Sequence, residues 1–483
     1  MVINAEILIG GNWIGPGSGD RELLEVVNPA TEEVFAVVPK ANKDDVEAAI
    51  GAADAAFRSW SELTPFERGR FLRKASEIAL SRSREIATLM TQEEGKPLKE
   101  AEGEVVKGAE ILRYYAEEGE RLYGRIIANS EPNTESRVIY QPVGVAAAIS
   151  PWNYPVELLA WKLGGALAAG CTIVAKVPSE TPLSPLAFVR CLTDAGVPKG
   201  VVSALAGAGS VIGPMLFESR VVKKVAFTGS TEVGKEVLRR CTETLKRVSL
   251  ELGGSLPMIV CDDCDMEKAV AGAVRRSFRN MGQICIAINR IYVDQKIYEE
   301  FLDKFAAATK RLTIGNGLEG DFDLGPMCSL EGIRKAESHI ADAVKKGARV
   351  LCGGKKPAGD RYRKGYFFEP TIIADATHEM LVMKEETFGP VVGVMPFKDL
   401  EEAVALANDT GYGLAAIVFT NSLTRAETLS RRLNFGNVAI NNVDAGVINA
   451  PYGGWNESGF GHEHGPEGLY EYLNIKHVRV RYL

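Results

Sequence analysis

A cysteine and a glutamate have the surroundings in this chain that suit nucleophilic chemistry. Cys285 lies in the stretch GQICIAINR, among small and apolar residues, where a thiol is either buried filler or a nucleophile. A nucleophilic thiol needs a group that accepts its proton. Glu251, in the stretch SLELGGSLP, is the favoured acceptor because it lies where an apolar strand gives way to a flexible glycine turn.

Histidine is the usual partner of an attacking cysteine, yet none of the five histidines has a recognisable catalytic setting. All five lie in the last third of the chain. The HEH stretch at 462–464 has no accompanying carboxylate cluster, and the CDDC stretch at 261–264 has no second cysteine pair. No metal site is therefore predicted, and the CDDC cysteines are interpreted as two thiols at the end of a strand.

An amide and an ammonium group are candidates for binding the reacting molecules. Asn153, in ISPWNYPVELLAWK, is held between prolines, and a rigid side-chain amide can donate to a developing oxyanion. The alternative is an asparagine that simply makes a turn. Lys176 ends the apolar strand in TIVAKVPSETPLS, at the edge where open α/β sheets bind ligands. The alternative there is a solvated strand end.

Glycines and acids supply further candidates. The stretch AFTGSTEVGKEVL places Gly229 and Gly234 between a buried strand and a helix, where free N–H groups can donate to a phosphate. The spacing is not GxGxxG, so an ordinary capped turn is the alternative. Glu385 and Glu386, in KEETFGPVV, are either a solvated acidic pair or ligands of sugar hydroxyls.

Six short motifs follow one another along the chain: PWNYP, FTGSTEVG, ELGG, GQIC, EETFGPV and PYGGWNESGFG. In this order they resemble the NAD(P)-dependent aldehyde dehydrogenase superfamily, and the resemblance extends over essentially the whole chain. It implies an α/β fold of the aldehyde dehydrogenase type, with a Rossmann-type cofactor domain, an α/β catalytic domain and a small β oligomerisation element. It also implies oxidation of an aldehyde to the carboxylic acid with NAD or NADP.

The resemblance also implies a role for each catalytic candidate. Cys285 would be the nucleophile, Glu251 the general base, and the Asn153 amide an oxyanion donor together with the Cys285 backbone N–H. Relatives that pass the thioester to coenzyme A generally lack this glutamate, so Glu251 favours hydrolysis to the free acid.

Ten residues are expected to bind the cofactor. The resemblance implies that Lys176 is a ligand of the adenosine ribose, Ser230 a contact of the pyrophosphate and Glu386 a ligand of the nicotinamide ribose. The full set is Trp152, Lys176, Ser179, Gly209, Phe227, Gly229, Ser230, Leu252, Glu386 and Phe388.

Two positions depart from the family pattern. Asn456 stands in the Gly-rich loop where the family usually has lysine, which leaves the shape of that loop open. Ser179 stands where a glutamate would repel a 2′-phosphate and favour NAD. Serine removes that repulsion, so NADP is admissible, although Glu180 lies next to it.

Three aromatic residues are predicted to line the substrate pocket: Tyr154, Trp161 and Tyr452. They resemble the linings of betaine and amino-aldehyde enzymes, because aromatic faces suit a cation or a flat apolar body. An aliphatic or aromatic aldehyde fits equally well. Relatives that oxidise acidic semialdehydes often carry arginine at the position of Trp161, and such a substrate, succinate semialdehyde included, is the alternative. A catalytically silent binding protein on the same scaffold is an alternative from another class.

The composition of the chain limits the classes of partner that it can bind. A formal net charge of −7 without a dense basic run excludes nucleic acid as the main partner. Apolar runs are short and interrupted, so no membrane span is expected, and the N-terminal residues lack the pattern of a signal peptide. Eight scattered cysteines indicate reduced thiols. We expect a cytoplasmic enzyme whose substrate is a small-molecule aldehyde.

The elements that must position these residues form two α/β series. Helical spacing follows Asn42, strands and helices alternate from Arg137, and a second series runs to about Asn442. The last strand, NIKHVRVRYL, is expected to pair with another chain or domain, in a homodimer or homotetramer. We predict a dinucleotide-binding domain at 1–120 and 142–253, a catalytic domain at 254–453, and oligomerisation segments at 121–141 and 454–483.

Overall fold

A computed structural model describes residues 2–19 and 21–483 of the chain. The helices are α1 (Lys43–Ser61), α2 (Pro65–Ser81), α3 (Ser83–Glu94), α4 (Leu98–Glu120), α5 (Glu157–Ala169), α6 (Leu183–Asp194), α7 (Gly209–Glu218), α8 (Thr231–Cys241), α9 (Met266–Phe278), α10 (Tyr298–Thr309), α11 (Leu330–Lys345), α12 (Leu381–Lys384), α13 (Leu400–Asn408), α14 (Leu423–Arg432) and α15 (Gly465–Tyr470). In the part of the chain that the structure describes, no helix is both long and apolar enough to cross a membrane.

The strands belong to four sheets. They are β1 (Ile3–Asn4), β2 (Ile7–Ile9), β3 (Asn12–Ile14), β4 (Leu23–Asn28), β5 (Glu33–Pro39), β6 (Arg125–Ile127), β7 (Thr134–Pro142), β8 (Val145–Ile149), β9 (Thr172–Lys176), β10 (Val202–Leu205), β11 (Val222–Thr228), β12 (Arg247–Glu251), β13 (Leu256–Val260), β14 (Ile288–Asp294), β15 (Arg349–Cys352), β16 (Thr371–Ala374), β17 (Val391–Phe397), β18 (Ala415–Phe419), β19 (Asn437–Ile440), β20 (Gly459–Phe460) and β21 (Leu473–Arg481).

The first large sheet has the order β20-β12-β11-β8-β9-β10-β2-β3, with a parallel centre from β12 to β10. Its central strands β8 and β9, VAAAI and TIVAK, are almost wholly buried, as expected of a parallel sheet covered on both faces. The chain starts at β8, moves outward through β9 and β10, and returns to β11 on the other side. This reversal opens a crevice at the carboxyl ends of β8 and β11, where such sheets bind ligands.

The second large sheet has the order β15-β16-β17-β14-β13-β18-β19, and only its β15–β16 pair is antiparallel. Its strand β13 follows β12 directly after the Gly253–Gly254 turn. The chain therefore passes from the first large sheet to the second directly after Glu251, the candidate base, and Cys285 lies just before β14 of the second sheet. Together the two parallel sheets confirm the predicted α/β fold.

The last strand, β21, pairs antiparallel with β7 over its whole length, from Leu473 against Pro142 to Arg481 against Thr134. β6 covers the other side of β7, which makes a three-stranded sheet. The predicted edge strand thus finds its first partner within the same chain, and the opposite side of β21 has no partner strand among the described residues. The predicted domain limits, including the oligomerisation segments, stay predictions.

Candidate active site

The candidate nucleophile lies at the end of a strained stretch between α9 and β14. Asn280, Met281 and Gly282 have φ values of 48°, 57° and 69°, three consecutive residues in the left-handed region. Non-glycine residues adopt this region at a cost, and such strain concentrates at functional sites. The stretch is fixed because Gln283 donates through its Nε2 to Asn280 O over 3.0 Å and accepts at Oε1 from the Cys328 amide over 2.9 Å.

Asn153 lies in the loop after β8 and contacts this stretch directly. Its Nδ2 donates to Gln283 O over 2.9 Å, and its buried Oδ1 has no hydrogen-bond partner among the described residues. The Asn153 carbonyl accepts from Asn280 Nδ2 over 3.1 Å and from Lys96 Nζ over 2.6 Å. The structure therefore brings the Asn153 amide into contact with Gln283, two residues before Cys285.

A buried ion pair that we did not predict anchors this loop. Lys96 and Glu104 are fully buried and 2.6 Å apart. The other oxygen of Glu104 accepts from the Val156 and Glu157 amides over 2.9 and 3.2 Å, at the start of α5. In the sequence the signal is the stretch EEGKPLKEAEGEV, but lysine and glutamate side chains in such a charged stretch usually face solvent.

Glu251 ends β12 and is buried, with its Oε1 unpartnered among the described residues. Burial raises the pKa of this carboxyl well above its ordinary value, Glu463 raises it further, and Lys162 acts against both. Lys162 Nζ donates to Glu463 and to Thr228 Oγ1, each over 2.7 Å. Glu251 is therefore a buried carboxyl with a free oxygen and a raised pKa, as a proton acceptor in catalysis needs.

Cys285 is half-buried, and its thiol is a weak acid in this setting. Burial raises the pKa of Cys285 to about 12, with smaller contributions in the same direction from Glu386 and Glu251. A hydrogen bond with the Tyr452 hydroxyl and the charge of Arg276 act in the opposite direction. Cys285 is therefore protonated in the resting protein and becomes nucleophilic when a base removes its proton.

The residues expected at the adenosine end lie at the carboxyl ends of the first sheet's strands. Lys176 ends β9 half-buried, and burial lowers the pKa of its ammonium group. Ser179 donates through Oγ to Gly207 O over 3.2 Å, and Gly209 begins α7. Ser230 caps α8 by accepting from the Val233 amide over 3.4 Å, which leaves an exposed helix start beside it.

A dinucleotide fits this crevice. A Cβ atom on Gly229 would lie 2.5 Å from the Phe227 ring, which leaves no room for a side chain. A Cβ atom on Gly234 would likewise lie 2.4 Å from the Leu252 side chain. The first turn of α8 presents backbone N–H groups where a pyrophosphate would lie. Glycines that keep backbone free of side chains, an ammonium group and a helix start form the donor set that such a ligand needs.

The residues expected at the nicotinamide end lie between the two sheets. Glu386 Oε1 accepts from the Gly254 amide over 3.1 Å, and burial raises the pKa of Glu386 to about 7. Phe388, with a φ of 53°, packs edge to face against Trp152, with ring centroids 5.4 Å apart. A Cβ on Gly253 would lie 2.8 Å from Glu386, so this glycine permits the close approach.

The three predicted pocket aromatics have different surroundings. Tyr154 donates to Glu100 Oε1 over 2.7 Å, and Lys96 Nζ lies 3.8 Å from the centre of its ring. Trp161 is buried and stacks on His464 with ring centroids 3.6 Å apart. His464 in turn stacks on Tyr452, with centroids 4.8 Å apart.

His464 thus separates two residues that we expected to line one wall. Its Nδ1 lies 3.1 Å from Val447 O, and burial lowers the pKa of His464 to about 3, so the ring is neutral. Glu463 of the same HEH stretch pairs with Lys162. This motif, at which we predicted no metal site, packs against Trp161 and Tyr452 and pairs with Lys162.

Comparisons with known proteins agree with this geometry. The sequence model of the aldehyde dehydrogenase family matches residues 13–478. Succinate-semialdehyde dehydrogenase [NADP(+)] of Escherichia coli is 43% identical over 98% of this chain and 97% of its own length. Glutarate-semialdehyde dehydrogenase of Pseudomonas putida is 44% identical over 99% of this chain and 98% of its own. The crystal structure of Staphylococcus aureus betaine aldehyde dehydrogenase with NAD+ superimposes with a TM-score of 0.95 at 36% identity, covering 99% and 95% of the two chains.

Proposed function

The chain belongs to the aldehyde dehydrogenase family, and from that premise we propose that it oxidises an aldehyde to the carboxylic acid with NAD or NADP. The observation that carries the proposal is the convergence of Asn153 and Glu251 on the stretch that holds Cys285. Asn153 contacts that stretch through Gln283, and the charge of Glu251 acts on the Cys285 thiol. The cofactor, when bound, supplies the hydride acceptor.

Cys285 is the nucleophile in this proposal. Its thiolate adds to the aldehyde carbon, and the carbonyl oxygen becomes an oxyanion. The Asn153 amide nitrogen carries two hydrogens, of which Gln283 O takes one. The second hydrogen and the Cys285 backbone N–H are left to donate to the oxyanion.

Glu251 acts on both sides of the oxidation. Its free oxygen can take the thiol proton before attack and the proton of a water that hydrolyses the thioester afterwards. The carboxylate must be deprotonated for either task, and its raised pKa makes it a stronger base once it is. The Lys162–Glu463 pair behind it provides polar partners within the protein interior for a proton that leaves the site.

We propose an acidic semialdehyde as the substrate class. The two relatives with 43% and 44% identity are named for succinate and glutarate semialdehydes, which carry a carboxylate, whereas the betaine aldehyde dehydrogenase is 36% identical. The betaine-type alternative relied on aromatic faces open to a cation, but one face of Trp161 is covered by His464. Trp161 therefore does not offer that face to a substrate.

Both cofactors are compatible with the adenosine end. Ser179 carries a hydroxyl at the position where a carboxylate would repel a 2′-phosphate, and the neighbouring Glu180 is exposed to solvent. One relative is named for NADP(+), and the betaine enzyme was crystallised with NAD+.

The experiment is a panel of aldehydes assayed with each cofactor. We expect reduced cofactor and free acid in equal amounts, fastest with succinate or glutarate semialdehyde. A purified, folded chain that reduces neither cofactor with any aldehyde would contradict the proposed activity and leave the silent scaffold as the better description.

A further inference from the structure

Three rings form one stack beside the candidate nucleophile. The imidazole of His464 lies between Trp161 and Tyr452, with ring centroids 3.6 Å and 4.8 Å away. The angles between the ring planes are only 16° and 19°, so the three rings are nearly parallel. Trp161 and Tyr452 therefore turn their faces toward each other across the thickness of a single imidazole. We refer to the space between these two rings as the inter-ring site.

The inter-ring site adjoins the reacting sulfur. The Tyr452 hydroxyl forms a hydrogen bond with the Cys285 thiol. Trp161 belongs to α5, which begins four residues after Asn153. His464 is half-buried, so its ring belongs to the wall of the site and not to the closed core. A group bound between the two rings would therefore lie one tyrosine side chain away from the sulfur.

The backbone of His464 is strained in a way that keeps its ring in this place. The residue has a φ of 59° and a ψ of 172°, a combination that essentially only glycine adopts without cost. Such a conformation persists where the surroundings hold it, and it concentrates at functional sites. The two ring stacks and the contact of Nδ1 with Val447 O over 3.1 Å hold it here. A side chain is thus kept at a position whose backbone favours glycine.

Without the imidazole, the two outer rings would have the geometry of a cation site. A positive charge at the centre of the imidazole ring would lie 3.6 Å and 4.8 Å from the two ring centres. Both distances are within the range of about 6 Å over which an aromatic face attracts a cation. His464 supplies no charge of its own, because burial lowers its pKa to about 3. It covers both faces as a neutral ring.

We propose that His464 fills an alkylammonium site between Trp161 and Tyr452 and thereby makes the enzyme reject cationic aldehydes. The inference rests on the proposed aldehyde oxidation and assigns the residue that excludes one substrate class from it. Proteins discriminate between ligands by blocking the competitor as well as by binding the preferred one. A neutral or anionic aldehyde gains nothing from two aromatic faces, so the covering ring acts against cationic aldehydes alone.

The test compares aldehydes of the same shape in which a charged nitrogen replaces a carbon: 3-aminopropanal against butanal, and betaine aldehyde against 3,3-dimethylbutanal. We expect His464→Gly to raise the ratio of kcat/KM for the cationic over the neutral aldehyde by about tenfold or more in at least one pair, because two ring faces become free for the cation. Glycine suits the backbone of this position, so the variant should fold.

Two variants serve as controls. His464→Phe keeps a ring between Trp161 and Tyr452 and should leave both ratios at the wild-type value. His462→Gly removes an exposed histidine of the same stretch and should also leave them unchanged.

An equal gain on the cationic and the neutral aldehyde in both pairs would show that His464→Gly only enlarges the pocket, and this result would overturn the proposal. Ratios that stay at the wild-type value in both pairs would overturn it as well. If circular dichroism shows that His464→Gly is unfolded, His464→Ala opens the same space and decides by the same criteria. Failure of the wild-type chain to oxidise any aldehyde would instead contradict the proposed function.

Discussion

The ammonium group of Lys96 donates to the carbonyl oxygen of Asn153 over 2.6 Å and to the carboxylate of Glu104 over the same distance. Asn153 also contacts the cysteine-bearing stretch through its side chain. A fully buried ion pair in the first sheet's domain is thus connected by two hydrogen bonds to the segment before Cys285. This connection makes the placement of the oxyanion donor depend on a residue more than fifty positions upstream.

We expect Lys96→Met to lower kcat and to destabilise the chain by about 3–5 kcal/mol, because it leaves Glu104 buried without a counter-ion. The double variant Lys96→Met/Glu104→Gln removes that unpaired charge and should recover much of the stability but not kcat. Thermal unfolding and steady-state kinetics measure the two effects. Lys99→Met, an exposed position in the same stretch, is the control. Recovery of kcat along with stability in the double variant would show that Lys96 does not position Asn153.

At the adenosine end, Ser179→Glu should weaken the use of NADP far more than that of NAD. The new carboxylate would face the 2′-phosphate, whereas the 2′-hydroxyl of NAD can donate to it. The measurement is kcat/KM for each cofactor at a saturating aldehyde concentration. Equal effects on the two cofactors would place Ser179 away from the adenosine ribose.

Acid should destabilise the chain through His464. Its folded-state pKa is lowered to about 3 from an ordinary 6.5, so between these values the unfolded chain binds a proton that the folded chain does not. Stability contributed by the neutral ring is present above pH 6.5 and is lost as the pH falls, by up to about 1.4 kcal/mol per pH unit.

We therefore expect the unfolding free energy of His464→Phe to fall less steeply than that of the wild type between pH 6.5 and 4.5. Phenylalanine keeps the ring stack between Trp161 and Tyr452 and cannot be protonated. His462→Phe, at an exposed position two residues earlier, should follow the wild-type curve. Parallel curves for His464→Phe and wild type would mean that the ring is solvated or already charged.

Removal of the residues after Ile475 should yield monomers or insoluble protein. The truncation removes most of the residues by which β21 pairs with β7. It also removes the unpaired edge of the three-stranded sheet, which is the edge available to a second subunit. Light scattering of the purified truncated chain measures its mass. A truncated chain with the same assembly as the full chain would contradict this role for β21.

The motifs correctly located the candidate residues that lie at strand ends, whereas the roles of these residues stay predictions. Lys176, Gly229 and Glu251 all follow from apolar strands that end in polar or glycine residues, and the parallel order of the sheet brings those ends together. Asn456, where the family usually has lysine, is exposed with a φ of 53°. Asparagine tolerates that conformation better than lysine does, so the loop keeps a feasible turn.

The sequence could not reveal what depends on distant packing. Lys96, in the short loop between α3 and α4, and Arg276, on α9, are charged residues for which a solvated side chain is the ordinary expectation, and only the fold shows that both are buried. Trp161 was expected at the pocket surface, but His464, some three hundred residues later, covers one of its faces. Ring stacking over such a separation leaves no local pattern in the sequence.

The central claim is that oxidation passes through a thioester on Cys285 that Glu251 helps to hydrolyse. Intact-mass and peptide mass spectrometry of Glu251→Gln, quenched after mixing with glutarate semialdehyde and cofactor, tests it directly. At alkaline pH, where the thiolate can form without Glu251, we expect a burst of reduced cofactor and a peptide containing Cys285 that carries the acyl group, while Cys285→Ala shows neither. Substantial turnover in Cys285→Ala, or unchanged steady-state turnover in Glu251→Gln with no acylated peptide, would contradict the account.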